Sequence, residues 1–123
     1  MKKPKTNRKK IENELDKVCS ILAVKRDMGC VRCGSQKGLA AHHCFGRVNK
    51  SVRWDLDNLV TLCYPCHRYF AHGNPLGFAT WLEGRIGRSK YEQLTLKAKS
   101  VCKRTEFDLL FLLSERKKML TLA

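Results

Sequence analysis

Four cysteines in two C-x2-C pairs constrain this chain more than any other feature. The pairs are "CVRC", with Cys30 and Cys33, and "CYPC", with Cys63 and Cys66, and 29 residues separate them. Two such pairs can surround one Zn²⁺ tetrahedrally, and the ion then stabilises a loop that is too small to form a core of its own. One pair alone could be a redox motif, but two pairs favour a structural zinc site. We therefore predict that these four cysteines bind zinc.

The charge of the chain predicts an anionic partner. Its 123 residues include 25 Lys and Arg but only 11 Asp and Glu, which gives a formal net charge of +14. An excess of this size favours nucleic acid as the partner. Seven cysteines cannot all pair, and an odd number in a reducing compartment favours metal binding over disulfides. No apolar run is long enough for a membrane span or a secretory signal. We expect a cytoplasmic protein without a membrane partner.

The order of helical and strand patterns predicts a single α+β domain. The opening residues have the composition of a disordered basic arm, whereas apolar residues then recur at helical spacing. Short runs separated by Gly, Asn and Asp follow, and further helical patterns end the chain. The predicted parts are a basic arm over 1–8, a helix within 9–29, a metal-binding core over 30–74 and an extension of two to three helices over 75–123.

Six segments carry signals for strands or for the starts of helices. The segments "LAAHHC" and "NLVTLC" predict two strands, and Pro65 predicts the start of a short helix that carries "CHRYFAH". Asn74 is placed to cap a helix from Pro75, while "SKYE" from Ser89 and "TEFD" from Thr105 resemble capping boxes. The apolar residues of the last two helices should form the packing faces: Leu94, Ala98 and Val101 in one, and Phe107, Leu110, Phe111 and Leu113 in the other.

All four histidines lie between or just after the cysteine pairs. If the two strands form an antiparallel hairpin that leads into the short helix, these elements converge on one point. His42 and His67 could then share a second metal ion. His43 would face the other way because strand side chains alternate, and its ordinary pKa suits it to accept a proton from water. Asn58 begins the second strand, and its amide is expected to hydrogen-bond the backbone across the loop after Phe45.

The order H-H, N, C-x2-C-H resembles the HNH endonuclease family. The segment "AAHHCFGRVNKSVRWDLDNLVTLCYPCHRYFAHGNP" is similar to the zinc-containing type, in which two cysteine pairs hold a ββα-metal motif. The resemblance covers residues 30–87 and is closest to small phage-encoded members, including the NinG type of recombination endonuclease. It implies a ββα-metal motif, and together with the helical patterns on either side it predicts an α+β fold in which an N-terminal helix and two to three C-terminal helices flank the motif.

The resemblance also implies roles for the site residues. His43 would be the general base, Asn58 would orient its loop, and His42 and His67 would bind a catalytic Mg²⁺, Mn²⁺, Ni²⁺ or Zn²⁺. The role of His72 stays open between metal ligation, phosphate contact and packing, because it follows His67 by five residues where family members use four. Two features depart from the family: His42 replaces a common Asp, and "CFGR" replaces a frequent Pro after the base.

The implied function is metal-dependent hydrolysis of DNA phosphodiester bonds, with weak sequence specificity or structure selectivity, in phage DNA processing or recombination. The alternative is a non-catalytic zinc module that binds nucleic acid. The sequence leaves open a homodimer, which could cut both strands at once, and partnership with phage recombination or packaging proteins. Six basic residues are expected to contact phosphate: Arg47, Arg53, Lys2, Lys3, Lys5 and Arg8. For Arg47 and Arg53, which lie nearest the site, the alternative is a surface salt bridge.

Overall fold

The computed structural model describes residues 4–122, and a long helix, α1 (Asn7–Asp27), begins this part of the chain. Thr6 caps it, since its hydroxyl oxygen accepts a hydrogen bond from the Lys9 N–H at 3.2 Å. The cap brings Asn7 and Arg8 into the first turn of the helix. This corrects the prediction of a disordered arm over residues 1–8 for those two positions, because a side-chain cap outweighs the mutual repulsion of the basic residues around it.

A two-stranded antiparallel sheet follows α1 and confirms the predicted hairpin. Strand β1 (Ala40–His43) pairs with β2 (Leu59–Leu62), and His42 lies opposite Val60 while His43 lies opposite Leu59. Every residue of β2 is buried, and its side chains alternate between two cores. Leu59 packs with α1, whereas Val60 and Leu62 pack with the cysteines. The sheet therefore separates the α1 core from the cysteine cluster.

A short π-helical segment, Cys66–His72, leaves the second cysteine pair at the position predicted for a short helix. Helix α2 (Pro75–Ile86) follows it directly, and the side chain of Asn74 accepts the Gly77 N–H at 3.1 Å. The predicted Asn-Pro helix start is thereby confirmed.

The starts of the last two helices differ in how well the sequence predicts them. Helix α3 (Arg88–Lys99) begins before Ser89, and Gly87, with φ of 89°, both ends α2 and precedes α3 without a side-chain cap. The predicted capping box at Ser89 is wrong, because a glycine in this conformation makes the turn between the helices in a single residue. In contrast, the Thr105 N–H donates to Asp108 at 2.8 Å and the Asp108 N–H donates to Thr105 at 3.1 Å. Helix α4 (Glu106–Leu122) therefore begins with the predicted reciprocal cap.

Helix α4 packs against α1, but of the packing face that the sequence predicts only Leu113 is buried. Leu109 and Leu113 are buried in the core with α1, at the i and i+4 positions. Phe107, Leu110 and Phe111 are exposed, at 76%, 49% and 62%. The first turns of α4 are apolar on several sides, so periodicity alone does not define the face that meets a neighbour.

The α+β class is thus confirmed as four helices and a small antiparallel sheet among residues 4–122. In α3 the predicted packing residues Leu94 and Ala98 are buried, while Val101 lies beyond the helix and is 87% exposed. Within the same residues, no helix combines the length and the apolar content that a membrane span requires.

Candidate functional site

The four predicted zinc ligands form one cluster. All four Sγ atoms lie within 4.8 Å of one another, and those of Cys33 and Cys63 are 3.5 Å apart. Gly34 makes the turn of the first pair with φ of 82°, and its N–H donates to the Cys30 carbonyl at 2.8 Å. Four thiols at these separations, in two C-x2-C turns, can hold a structural metal ion such as Zn²⁺.

Backbone donors favour the thiolate form that a metal requires at one of the four cysteines, Cys30, whereas burial raises the pKa of Cys66. Burial opposes ionisation of Cys30, but backbone N–H groups, first that of Cys63, lower its pKa to about 6. The Val31 N–H also donates to the Thr61 carbonyl at 3.0 Å, which attaches the first cysteine turn to β2. The cluster and the sheet are therefore built as one unit.

Three histidines form a second group of potential metal ligands. Each of His42, His67 and His72 offers a ring nitrogen, and these atoms lie within 4.8 Å of one another. The Nε2 atoms of His67 and His72 are 3.0 Å apart. Burial, and then the neighbouring histidines, lower the pKa of His42 to about 4. Neutral imidazoles at this spacing are suitable ligands for a divalent cation.

The π-helical segment explains why His72 joins this group. A π-helix bonds residue i to residue i+5 and has a wider turn than an α-helix, so residues five apart share a face. His67 and His72 have this separation, and their ring centroids are 4.6 Å apart. Their five-residue step is therefore compatible with a shared ligand set, although the sequence left the role of His72 open.

His43 lies beside the three histidines without belonging to their cluster. Its Nε2 atom is 3.0 Å from the Arg53 carbonyl oxygen. A carbonyl only accepts hydrogen bonds, so this contact requires the proton on Nε2 and leaves Nδ1 as the nitrogen that can accept one. Burial lowers the pKa of His43, although the nearby Asp16 carboxylate raises it in part. The neutral ring is thus held in one tautomer.

One cavity of about 350 Å³ joins these groups. All four histidines line it. The other polar and charged lining residues are Asp16 and Ser20 from α1 and Arg47 from the loop after β1. A potential metal site and a proton acceptor therefore open into the same space.

Asn58 fixes the loop that follows His43 and is completely buried. Its Oδ1 accepts the Phe45 N–H at 2.8 Å, its Nδ2 donates to the Phe45 carbonyl at 2.9 Å, and its own carbonyl accepts the Cys44 N–H at 2.7 Å. These contacts confirm the predicted hydrogen bonding of Asn58 across the loop after Phe45. The side chain thus pairs the N–H and the carbonyl of Phe45, which have no partner in the β1–β2 hairpin.

The two arginines predicted to contact phosphate occupy different environments. Arg53 donates to the two Asp16 carboxylate oxygens at 3.1 and 2.6 Å, and its side chain is only 13% exposed. This corrects the expectation for Arg53, because the salt bridge uses the guanidinium inside the protein. Arg47 lines the cavity with a side chain that is 66% exposed, 3.8 Å from Asp16. Arg47 is the one of the pair that is positioned to meet an anion.

The other basic residues named for phosphate contact come from the start of the chain. Lys5 is exposed, Arg8 is half-buried in the first turn of α1, and Lys2 and Lys3 lie outside the described residues. Of the part of this segment that the structure describes, residues 4–8, none lines the cavity.

Asp16 is the acidic cavity residue that the sequence does not indicate, and Ser20 on the same helix also lines the cavity without having been predicted. Asp16 lies in α1 close to two other acidic residues, Glu12 and Glu14, and belongs to none of the motifs described above. Its spacing from Glu12 places both on one face of α1, and both are largely buried at the loop that carries Arg53. No pattern in α1 distinguishes Asp16 from exposed Glu14, since its partners are 37 and 38 residues away.

We compared the chain with protein-family models, with curated proteins and with solved structures. No family model matches it, and no match was found among the curated proteins or the solved structures. The residues of the site are therefore the basis on which its function is assigned.

Proposed function

We propose that this chain is a metal-dependent endonuclease of the HNH type that hydrolyses phosphodiester bonds in DNA. One observation carries the proposal: His43, held as a proton acceptor by the Arg53 carbonyl, lines the same cavity as the three-histidine cluster. Hydrolysis of a phosphodiester needs a deprotonated water and positive charge near the phosphate, and this cavity has residues suited to both tasks.

The mechanism assigns one task to each side chain. Nδ1 of His43 accepts the proton of the attacking water, since Nε2 is engaged with the Arg53 carbonyl. Asn58 keeps the following loop in place through Phe45, which holds the base beside the cavity. Exposed Arg47 contacts a phosphate oxygen.

The three imidazoles of His42, His67 and His72 would hold the catalytic ion. Their donor set fits Ni²⁺ or Zn²⁺ well, and Mg²⁺ or Mn²⁺ remain candidates for turnover. A divalent cation bound there supplies charge stabilisation to the phosphate and the leaving oxygen. The four-cysteine site would bind structural Zn²⁺ and take no part in the chemistry, since a site with four protein ligands has no open position.

A plasmid nicking assay tests this proposal. Purified zinc-loaded protein is treated with a chelator too weak to remove the cysteine-bound ion and then given Mg²⁺, Mn²⁺, Ni²⁺ or Zn²⁺ in turn. We expect nicking only after metal addition, and nicks that DNA ligase reseals, because the family resemblance implies 5′-phosphate and 3′-hydroxyl ends. His67→Ala should lose nicking while keeping its zinc. Binding of the plasmid without nicking under every metal would contradict the proposal.

A non-catalytic zinc module that binds nucleic acid is the second candidate. The cysteine cluster and the net charge of +14 favour it as much as they favour a nuclease. The two candidates differ in the four histidines around one cavity, which a purely structural zinc module does not need. Partnership with phage recombination or packaging proteins is compatible with both, and the assay above separates cleavage from binding.

A further inference from the structure

The orientation of His43 depends on one backbone carbonyl, that of Arg53. The carbonyl lies 3.0 Å from Nε2 of His43, on a segment with neither helical nor strand structure. No strand partner holds this carbonyl in place. Its position must be set by the contacts of Arg53 itself and of the next residue, Trp54.

Asp16 binds the side chains of both these residues. Its Oδ1 accepts the Trp54 indole N–H at 2.9 Å and the Arg53 Nε–H at 3.1 Å, and its Oδ2 accepts an Arg53 Nη2–H at 2.6 Å. A two-point contact between a guanidinium and a carboxylate fixes orientation as well as distance. One carboxylate on α1 therefore holds two consecutive residues of the loop.

The loop is also held from the side of α4. Arg116 donates to the Trp54 carbonyl through Nη2 at 2.9 Å and through Nε at 3.2 Å. Trp54 itself is 2% exposed in the core between α1 and α4. The Arg53 carbonyl thus lies in a segment that both long helices anchor.

We propose that Asp16 is a positioning residue for the general base, acting through Arg53 and Trp54 on the carbonyl that orients His43. This inference rests on the proposed function, because it gives Asp16 a task in the same reaction. Asp16 lines the cavity, yet both of its oxygens accept hydrogen bonds from the protein. It acts by holding the loop and not by touching the substrate.

The test compares Asp16→Asn with Glu14→Gln. Glu14 lies on the same helix and forms an ion pair with Lys117 of α4 at 2.8 Å, and it does not line the cavity that contains His43. In plasmid nicking, we expect Asp16→Asn to lower kcat roughly 10- to 100-fold, the range for residues that orient a catalytic group, with KM nearly unchanged. Glu14→Gln should match wild type. A larger KM with unchanged kcat would overturn the proposal.

A second readout does not require nuclease activity. Long-range ¹H–¹⁵N NMR correlations report the tautomer of His43, whose signals are assigned by their loss in His43→Ala. We expect the wild type to show the Nε2–H tautomer alone and Asp16→Asn to show a mixture, because the carbonyl is no longer fixed. A single Nε2–H tautomer in folded Asp16→Asn would overturn the proposal.

A second variant tests the same proposal if Asp16→Asn does not fold. Arg53→Lys keeps the positive charge but removes the two-point contact, and we expect the same change of tautomer. An unaltered tautomer in folded Arg53→Lys would also overturn the proposal. If the wild type cuts no DNA under any metal, the proposed function fails, and the NMR result alone decides the role of Asp16.

Discussion

Asn58 is the single residue on which the loop of the site depends most. It is completely buried, and its side chain pairs both the N–H and the carbonyl of Phe45. We predict that Asn58→Ala lowers the free energy of unfolding by on the order of 2–4 kcal/mol, since each buried polar group left unpaired costs about 1–3 kcal/mol. Urea unfolding of the zinc-loaded protein measures this change.

Asn49→Ala is the matched control for Asn58→Ala. Asn49 lies in the same loop, and its half-buried side chain donates to the Gly46 carbonyl at 3.2 Å in a hydrogen bond that is open to solvent. Its loss should cost less than about 1 kcal/mol, because water can replace an exposed partner. Equal destabilisation by the two substitutions would contradict the role given to Asn58.

At the same scale, the residues that the sequence predicted correctly are those with short-range partners or a fixed spacing. The four cysteines and Asn58 belong to motifs whose spacing already specifies their contacts. Arg53 and Asp16 do not, because their salt bridge joins positions 37 residues apart, so the sequence predicted a phosphate contact for Arg53 and no site role for Asp16. Charge alone does not identify which partner a side chain will meet.

Among the elements, the π-helical segment Cys66–His72 determines how many ligands the histidine cluster can offer. We predict that His72→Ala weakens binding of Ni²⁺ to the zinc-loaded protein by at least about tenfold, because even groups that only support a metal ligand are worth 10- to 100-fold. Isothermal titration calorimetry measures the affinity. Arg68→Ala, an exposed change on the same segment, should bind Ni²⁺ like wild type. Equal affinity of His72→Ala and Arg68→Ala would exclude His72 as a ligand.

The two cysteine turns form the other element whose stability depends on a metal. Cys33→Ser should reduce bound zinc from about one ion to nearly none and unfold the domain, since a structural zinc ion contributes directly to folding. Zinc content by atomic emission and circular dichroism measure the two effects. Cys102→Ser makes the same chemical change outside the cluster, and it should retain zinc and fold. A folded Cys33→Ser variant with full zinc would refute the four-cysteine site.

The elements themselves were predictable where a local signal marks their ends. The Thr105 cap, the Asn74 cap and the hairpin all depend on residues within a few positions of one another or on strand alternation. The packing face of α4 was not, because Leu109 and Leu110 are equally apolar and only the position of α1 buries the first. Tertiary packing selects among faces that the sequence makes equivalent.

Across the whole molecule, the site lies between two units with different sources of stability. One is the core of α1, α4 and Trp54, and the other is the core around the cysteines, β2 and α2. His42 packs edge-on against Phe78 of the second core at 4.9 Å, while the carbonyl that orients His43 comes from the loop anchored by the first. The proposed metal ligands and the proposed base therefore depend on different parts of the fold.

This division leads to the measurement that tests the central claim most directly. The initial rate of plasmid nicking is compared for wild type and His43→Ala, at equal zinc content and with the histidine cluster saturated by the same metal. We predict that His43→Ala binds metal and DNA like wild type but nicks at least about 100-fold more slowly, the lower range for loss of a general base. Nicking at the wild-type rate would contradict the account, because the cavity would then cut DNA without the base that defines it.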